Sequence, residues 1–315
     1  MDSFDTRRTL RAAGRELEIR ALPALERAGL PIARLPFALR ILLENLLRHG
    51  QGPRHFRAAR GTSKAISRVG LAPVSLDPDS LERLVPDRLD PEDAAARESL
   101  ELHLARYEFA AKAAHPGRLL DCACGVGYGT RLLVDRNPAL RPALGVDVSA
   151  EAVAYATARY ADEHVRFLVA DAMAFADPEG FDTVVSLETI EHVEGPEAFF
   201  ARLVGLLRPG GILVGSVPTT PSVDLNPHHR SDFTVRSFAA LGARHGLREC
   251  ARLAQVQRIS LAAGWRGGRF RRAQLRPNLP AWYLAHPGAL ARRVGSTLRH
   301  GLANHYLTIA WERPS

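Results

Sequence analysis

Lysine is almost missing from this chain. Of its 42 basic residues only Lys64 and Lys112 are lysine, and the rest are arginine, a bias that a GC-rich coding sequence produces as readily as a task does. Cysteine is scarce too. Cys122, Cys124 and Cys250 are the only three, which fits a reducing compartment. Cys122 and Cys124 have no second pair to complete a zinc site, so they read as small buried residues at a strand end rather than metal ligands. No apolar run reaches the ~20 residues that cross a bilayer. The opening MDSFDTRRTLRAAG lacks the apolar centre of a secretory signal, and a cytoplasmic protein is expected. No internal repeat is visible. What remains is ordinary for a globular protein: 315 residues, 46% hydrophobic and 24% charged, enough for one or two domains.

The charge is unevenly spread. Residues 251–315 hold eleven arginines against one acid, Glu312, while the whole chain nets +8. Such a stretch suits nucleic acid, a membrane surface or simply a solvated face.

The stretch that organises the rest is RLLDCACGVGYGT, Arg118 to Thr130. Leu119 and Leu120 end a buried strand, Asp121 closes it, and Gly125, Gly127 and Gly129 form the turn into a helix that runs to about Asn137. Alternate glycines let the backbone turn sharply against a ligand, and the helix N-terminus offers free N–H groups. A tight turn without ligand has the same pattern. Four further strands follow: 143–147, 165–169, 181–187 and 212–217, with helices between them at about 150–160 and before a Gly210-Gly211 stop. Asp147 ends the second strand, 22 residues beyond Gly125, where an acid accepts from the hydroxyls of a ribose. Asp171 follows the third strand, beside the same crevice. This alternation predicts an α/β fold with a parallel sheet and ligands at the strand carboxyl ends.

LLDCACGVGYG, GVDVS, VADAM, FDTVVSLETIEHV and LRPGGILVGSVP, in this order, resemble a class I S-adenosylmethionine-dependent methyltransferase over about Leu100 to Leu261. The resemblance implies a doubly wound, Rossmann-like, mostly parallel seven-stranded sheet. Ala123 departs from the glycine usual in the family. By position, Asp121, Gly125 and Gly127 hold the methionine part of the cofactor, Asp147 with Val148 the ribose side, Asp171 with Ala172 the adenine, and Leu187 begins the wall below the methyl group. A nicotinamide dehydrogenase competes for the glycines, but the RPGG turn and the Glu-Thr-Ile-Glu-His segment favour the methyltransferases.

Outside that region the reading is coarser. Glu16 to Leu22 alternates like a strand, and Ala38 to Arg48 predicts a helix with a leucine stripe, a small helical appendage. RLPFALRILLENLLRHG, Arg34 to Gly50, resembles the N-terminus of aconitase A-type hydratases, without catalytic content or an iron–sulfur cysteine set. The expected organisation is this segment over 1–60, a linker over 61–75, and the methyltransferase domain over 76–315. Within the last, a helix from Glu92 to Ala113 leads into the sheet as a lid over the cofactor. A polar loop spans 218–234, and 262–302 is an Arg/Gly/Pro-rich insertion or cap before a final strand from His305 to Trp311.

Glu188-Thr189-Ile190-Glu191-His192 follows the fourth strand. If it opens a helical turn, Glu188, Glu191 and His192 share one face, and His228 or His229 of the polar loop joins them. Glu188, His192 and His229 are the candidate catalytic groups, with His192 as general base. Glu-x-x-Glu-His with a later His also resembles the metal site of small-RNA 2′-O-methyltransferases and a segment of the ubiquinone-pathway O-methyltransferases. That implies Glu188, Glu191, His192 and His229 around Mg²⁺, Mn²⁺ or Zn²⁺. Metal-free relatives carry a similar Ile-Glu-His. The expected activity is methyl transfer to an oxygen of a small molecule or glycan. An RNA methyltransferase is the alternative, although the Asn-Pro-Pro-aromatic motif of base N-methylation is missing. A non-catalytic interaction module is the second alternative.

Overall fold

The computed structural model describes residues 7–12, 15–20, 84–89, 93–258 and 275–315. It divides into two compact units, Met1–Pro73 and Val74–Ser315. In the first, β1 (Arg7–Ala12) and β2 (Arg15–Arg20) pair antiparallel, with Arg11 opposite Glu16. The predicted strand at Glu16 is thus half of a hairpin. The predicted helix at 38–48, the rest of the aconitase-like segment and the linker 61–75 lie outside the described residues.

The second unit carries a seven-stranded sheet in the order β5-β4-β3-β6-β7-β9-β8. Its strands are β3 (Leu119–Cys122), β4 (Ala143–Asp147), β5 (Val165–Val169), β6 (Phe181–Leu187), β7 (Leu207–Pro218), β8 (Arg248–Arg258) and β9 (Ala303–Glu312). β3 through β7 are parallel, and β9 runs antiparallel between β7 and β8. The doubly wound, mostly parallel sheet expected from the sequence is therefore present. Among the described residues the α-helices are α1 (Ala94–Ala113), α2 (Tyr128–Arg136), α3 (Ala150–Tyr160), α4 (Pro196–Gly205), α5 (Val235–Arg244), α6 (Leu279–Ala285) and α7 (Pro287–His300).

The central strands are apolar on both faces because both are covered. Alternate side chains point to opposite faces. Leu119, Val185, Ile212 and Val214 pack with Tyr107, Ala110 and Ala111 of α1 and with Leu133 and Val134 of α2. Leu120, Val184, Leu213 and Val217 pack on the other side with Phe199, Phe200 and Leu203 of α4 and with Phe238 and Leu241 of α5. There Trp311 of β9 meets the rings of Phe200 and Phe238 edge-on at 5.3 and 5.0 Å. Gly242 leaves it room, since a Cβ there would stand 2.2 Å from the indole nitrogen.

Two expectations need correction. The Arg208-Pro209-Gly210-Gly211 segment does not end a helix. α4 stops at Gly205, and β7 begins at Leu207. The glycines are already in sheet pairing, where Gly210 N–H donates to Arg313 C=O at 2.9 Å and Arg313 N–H to Gly211 C=O at 2.9 Å. The expected insertion before the last strand contains α6 and α7. Their prolines lie in first turns, where the missing N–H costs nothing.

Candidate functional site

The order of connection reverses between β3 and β6, so the loops after β3, β4 and β6 open around one crevice at the carboxyl ends. The glycine turn lies there. Gly125 has φ +56°, and nothing stands within 4 Å of where its Cβ would project. Gly127 has φ +81° and caps α2, and its missing Cβ makes room for Ala156 and Phe167. Gly129 is packed by the ring of Tyr107, 1.9 Å from where a Cβ would stand.

Asp121, at the end of β3, is 1% exposed. Its Oδ2 accepts from Thr130 Oγ1 at 2.6 Å and from the Tyr107 hydroxyl at 3.3 Å. Its Oδ1 is buried and has no hydrogen-bond partner among the described residues. Burial pushes the carboxyl up to about 7, against the two hydroxyl donors and with the nearby Asp147 adding to the rise. A cation brought to Oδ1 removes that penalty.

Asp147 closes β4. Its Oδ2 accepts from Gly125 N–H at 2.8 Å and its Oδ1 from Ser149 N–H at 2.9 Å. The acid therefore sets the glycine turn and the entry to α3 together. Val148 beside it is exposed, as are Val169 at the end of β5 and Met173. Asp171 is exposed, turns its Oδ1 to Met173 N–H at 2.8 Å, and is followed by the half-buried Ala172. Leu187 is buried at the end of β6. Asp121, Gly125, Gly127, Asp147, Val148, Asp171, Ala172 and Leu187 thus all sit on the carboxyl rim of β3 to β6. Cys122 and Cys124 are buried beneath it, and burial pushes the Cys122 thiol up to about 12.

The segment after β6 departs from the predicted turn. Glu188 has φ +48°, which breaks the helical path, and a short 3₁₀ turn starts only at Ile190 and ends at His192. Glu188 is consequently turned away from Glu191 and His192. Its Oε1 accepts from Ser216 Oγ at 2.7 Å, and its Oε2 lies 3.6 Å from Arg106 Nη1. The expected four-residue set is three: Glu191, His192 and His229 bring ligand atoms within 4.8 Å of one another. The rings of His192 and His229 meet edge-on at 4.6 Å. His192 Nδ1 lies 3.2 Å from the His228 carbonyl, a contact in which Nδ1 is the donor. His229 Nδ1 lies 2.6 Å from Ser222 Oγ.

The polar loop reaches the turn because it is fastened twice. Arg230 and Ser231 donate backbone N–H groups to Glu191 C=O at 2.7 and 3.2 Å. At its other end Asp224 accepts from Tyr283 of α6 at 2.6 Å and from Arg293 Nε of α7 at 2.9 Å. Burial raises the Asp224 carboxyl, but Arg293 and Tyr283 more than offset it and hold the group below its ordinary range.

The polar layer beneath α1 has no signature in the sequence. Arg106, 4% exposed, donates Nε–H to Gln255 Oε1 at 2.8 Å and stacks 4.3 Å from the centre of the Tyr306 ring. Gln257 Nε2 donates to Ser99 Oγ at 3.0 Å. On the same helix His103 meets the Tyr128 hydroxyl, and burial with the Arg106 charge lowers its pKa to about 3, so it stays neutral.

Residues 120–215 match the family model described as a methyltransferase domain. An uncharacterized methyltransferase of Mycobacterium tuberculosis is 37% identical over 122 residues, 38% of this chain and 60% of that one. A trans-aconitate 2-methyltransferase of Rhodopseudomonas palustris is 34% identical over 139 residues, 44% of this chain and 51% of that one. The chain thus spans about half to three-fifths of the curated relatives' length. A solved Bacillus halodurans C-125 structure described as a methyltransferase superposes with TM-score 0.53 at 14% identity, covering 67% of this chain and 99% of that one. The fold is that of the class I methyltransferases.

Proposed function

We propose that this chain, a methyltransferase by fold and by its matched domain, binds S-adenosylmethionine at the rim of β3 to β6 and methylates an oxygen of a small molecule. The observation that carries the reading is Asp121 Oδ1, a buried carboxylate oxygen without a partner, beside a glycine with open space where its Cβ would be. An α-ammonium group is the donor such an oxygen takes. The Gly125–Gly127 turn would hold the α-carboxylate side of the same ligand, and Asp147 would hold the ribose hydroxyls. The exposed Val148 and Met173 offer apolar cover to an adenine ring beside Asp171 and Ala172.

Bound there, the cofactor supplies an electrophilic methyl group. The residues beyond Leu187 position the acceptor, since in-line transfer depends on alignment above all. His192, with Nδ1–H held by the His228 carbonyl, presents Nε2 to take a proton from an acceptor hydroxyl. His229 and Glu191 form the wall around it. A small acidic acceptor is supported by the trans-aconitate relatives, although their alignments span at most 139 residues.

A second reading is favoured by the grouping of Glu191, His192 and His229. One carboxylate and two imidazoles suit Zn²⁺ or Mn²⁺ better than Mg²⁺, and a metal so held lowers the pKa of an acceptor hydroxyl. Isothermal titration with S-adenosylmethionine, followed by a mass-resolved methyl-transfer screen against metabolite extract with and without nuclease, tests the cofactor and the acceptor, and the same screen with EDTA tests the metal. No binding by wild-type protein overturns the cofactor assignment. Activity lost on nuclease treatment overturns the small-molecule acceptor.

A further inference from the structure

α6 and α7 carry a surface that methyl transfer does not use. Leu290, Val294 and Leu298 recur every fourth position of α7 and make one exposed apolar stripe. Leu298 is 84% exposed, and Leu284 of α6 is 86% exposed. Leu302, just beyond α7, is exposed as well. Single exposed leucines are ordinary, but four large aliphatics on two consecutive short helices, with a fifth just beyond, are not.

Beside the stripe lie cations. Arg292 and Arg299 are exposed and His300 follows. No aspartate or glutamate occurs from Leu279 to Leu302. Arg293 is the exception on this helix, turned inward to Asp224. The buried side of α7, with Ala289 and Arg293, faces the fold, so the leucine stripe and the outer arginines are what remains for a partner.

We propose that α6 and α7 form a docking surface for an anionic lipid bilayer. A helix with an apolar strip bordered on one side by arginines lies in the headgroup region, its leucines among acyl chains and its long arginine side chains reaching back to phosphates. From Leu279 to Leu302 the two helices carry charge of one sign, with Asp232 of the polar loop the acid beside Arg292. That same property opposes pairing with a second copy, which would set arginines against arginines. Nucleic acid accepts the charge but offers no apolar phase to Leu284 and Leu298. The surface is also tied to the acceptor loop, since Tyr283 and Arg293 both hold Asp224.

Co-sedimentation of the full chain with phosphatidylglycerol/phosphatidylcholine vesicles tests the proposal, with pure phosphatidylcholine vesicles alongside. Expected is pelleting with the anionic vesicles alone, reduced by raised salt. The Leu284→Glu/Leu298→Glu double variant should bind at least ~10-fold more weakly, at unchanged melting temperature and unchanged S-adenosylmethionine affinity. Arg299→Glu should weaken binding several-fold, and Arg299→Lys should restore most of it. Both leucines are exposed, so folding is not at stake; Leu298→Gln serves as a milder second variant. Wild-type protein that stays in the supernatant overturns the proposal. So does pelleting by the double variant equal to wild type. Tighter binding to a mixed-sequence RNA than to the anionic vesicles, untouched by the leucine variants, assigns the surface to nucleic acid instead.

Discussion

Thr130 Oγ1, in the first turn of α2, donates to Asp121 Oδ2 at 2.6 Å, so one oxygen of the buried carboxylate is bonded and the other is left for a ligand. The pH dependence follows from this division. Asp121 sits at about 7 in the free protein, far above an ordinary carboxyl. A ligand ammonium at Oδ1 requires the carboxylate. Below pH 7 binding must expel a proton, so S-adenosylmethionine affinity should fall roughly tenfold per pH unit. Above pH 7 it should level off. Calorimetry from pH 5.5 to 8.5 reads this directly, and a flat profile would sink the ammonium assignment.

The same carboxyl predicts how the unliganded fold responds to pH. Its folded pKa is raised, so the folded state holds the proton more tightly than the unfolded chain. The stability this gives is full below about pH 4 and is lost as pH rises through 7. Asp121→Asn removes the titration. Denaturant unfolding of wild type and variant should therefore converge in acid and part at pH 8, with the variant the more stable by about 2–4 kcal/mol. The variant should also lose cofactor affinity, which separates stability from binding.

Gly125 and Gly127 should fail in different ways. Both have positive φ, at +56° and +81°. A Cβ on Gly127 would lie 2.5 Å from Ala156 Cβ and 2.7 Å from the Phe167 ring, whereas one on Gly125 meets nothing within 4 Å. Gly127→Ala is expected to cost about 1–3 kcal/mol of stability through overpacking, in addition to backbone strain. Gly125→Ala should cost less, since it adds backbone strain without overpacking, and its Cβ enters the crevice, so that cofactor affinity falls in a folded protein. Thermal unfolding and titration of the two variants distinguish them, and equal losses of stability would contradict the open crevice.

What was legible in the sequence is what is local. Asp121, the glycines and Asp147 lie within about one strand–helix–strand unit, so their motif was readable, and the roles proposed for them come from the resemblance that motif carries. The Glu188 error is local too, but periodicity assumes right-handed backbone throughout and a left-handed residue leaves no mark on it. Arg106 was invisible for a different reason: its partner Gln255 lies 149 residues away, on a strand brought under α1 only by the antiparallel return of β9. α6 and α7 were hidden by their composition, because Pro280 and Pro287 look like breaks yet mark first turns.

Arg106 and Glu188 should be coupled. Their charged atoms are 3.6 Å apart, and Arg106 is 4% exposed. Removing either leaves the other charge in a poorly solvated place. Arg106→Met and Glu188→Gln should each destabilise by about 1–3 kcal/mol, and the double variant by less than the sum. Strict additivity in the thermodynamic cycle would show that each charge is solvated independently.

His192 decides between the two accounts of the acceptor site. Its Nδ1 lies against the His228 carbonyl, and the residue groups with Glu191 and His229, a setting that suits either a base or a metal ligand. It is distant in sequence and role from the Asp121–Asp147 rim, so S-adenosylmethionine affinity should change little in His192→Ala. An interaction made only in the transition state appears in kcat. As a general base, His192 should be worth about 10²–10⁴-fold in turnover. As a metal ligand, it should share that loss with His229→Ala and Glu191→Gln, and EDTA should abolish wild-type activity until Zn²⁺ or Mn²⁺ is returned. Indifference to EDTA, with His229→Ala nearly active, leaves the metal-free base. Full activity of His192→Ala would remove both accounts, because the ring would then serve only to seat the polar loop against Glu191.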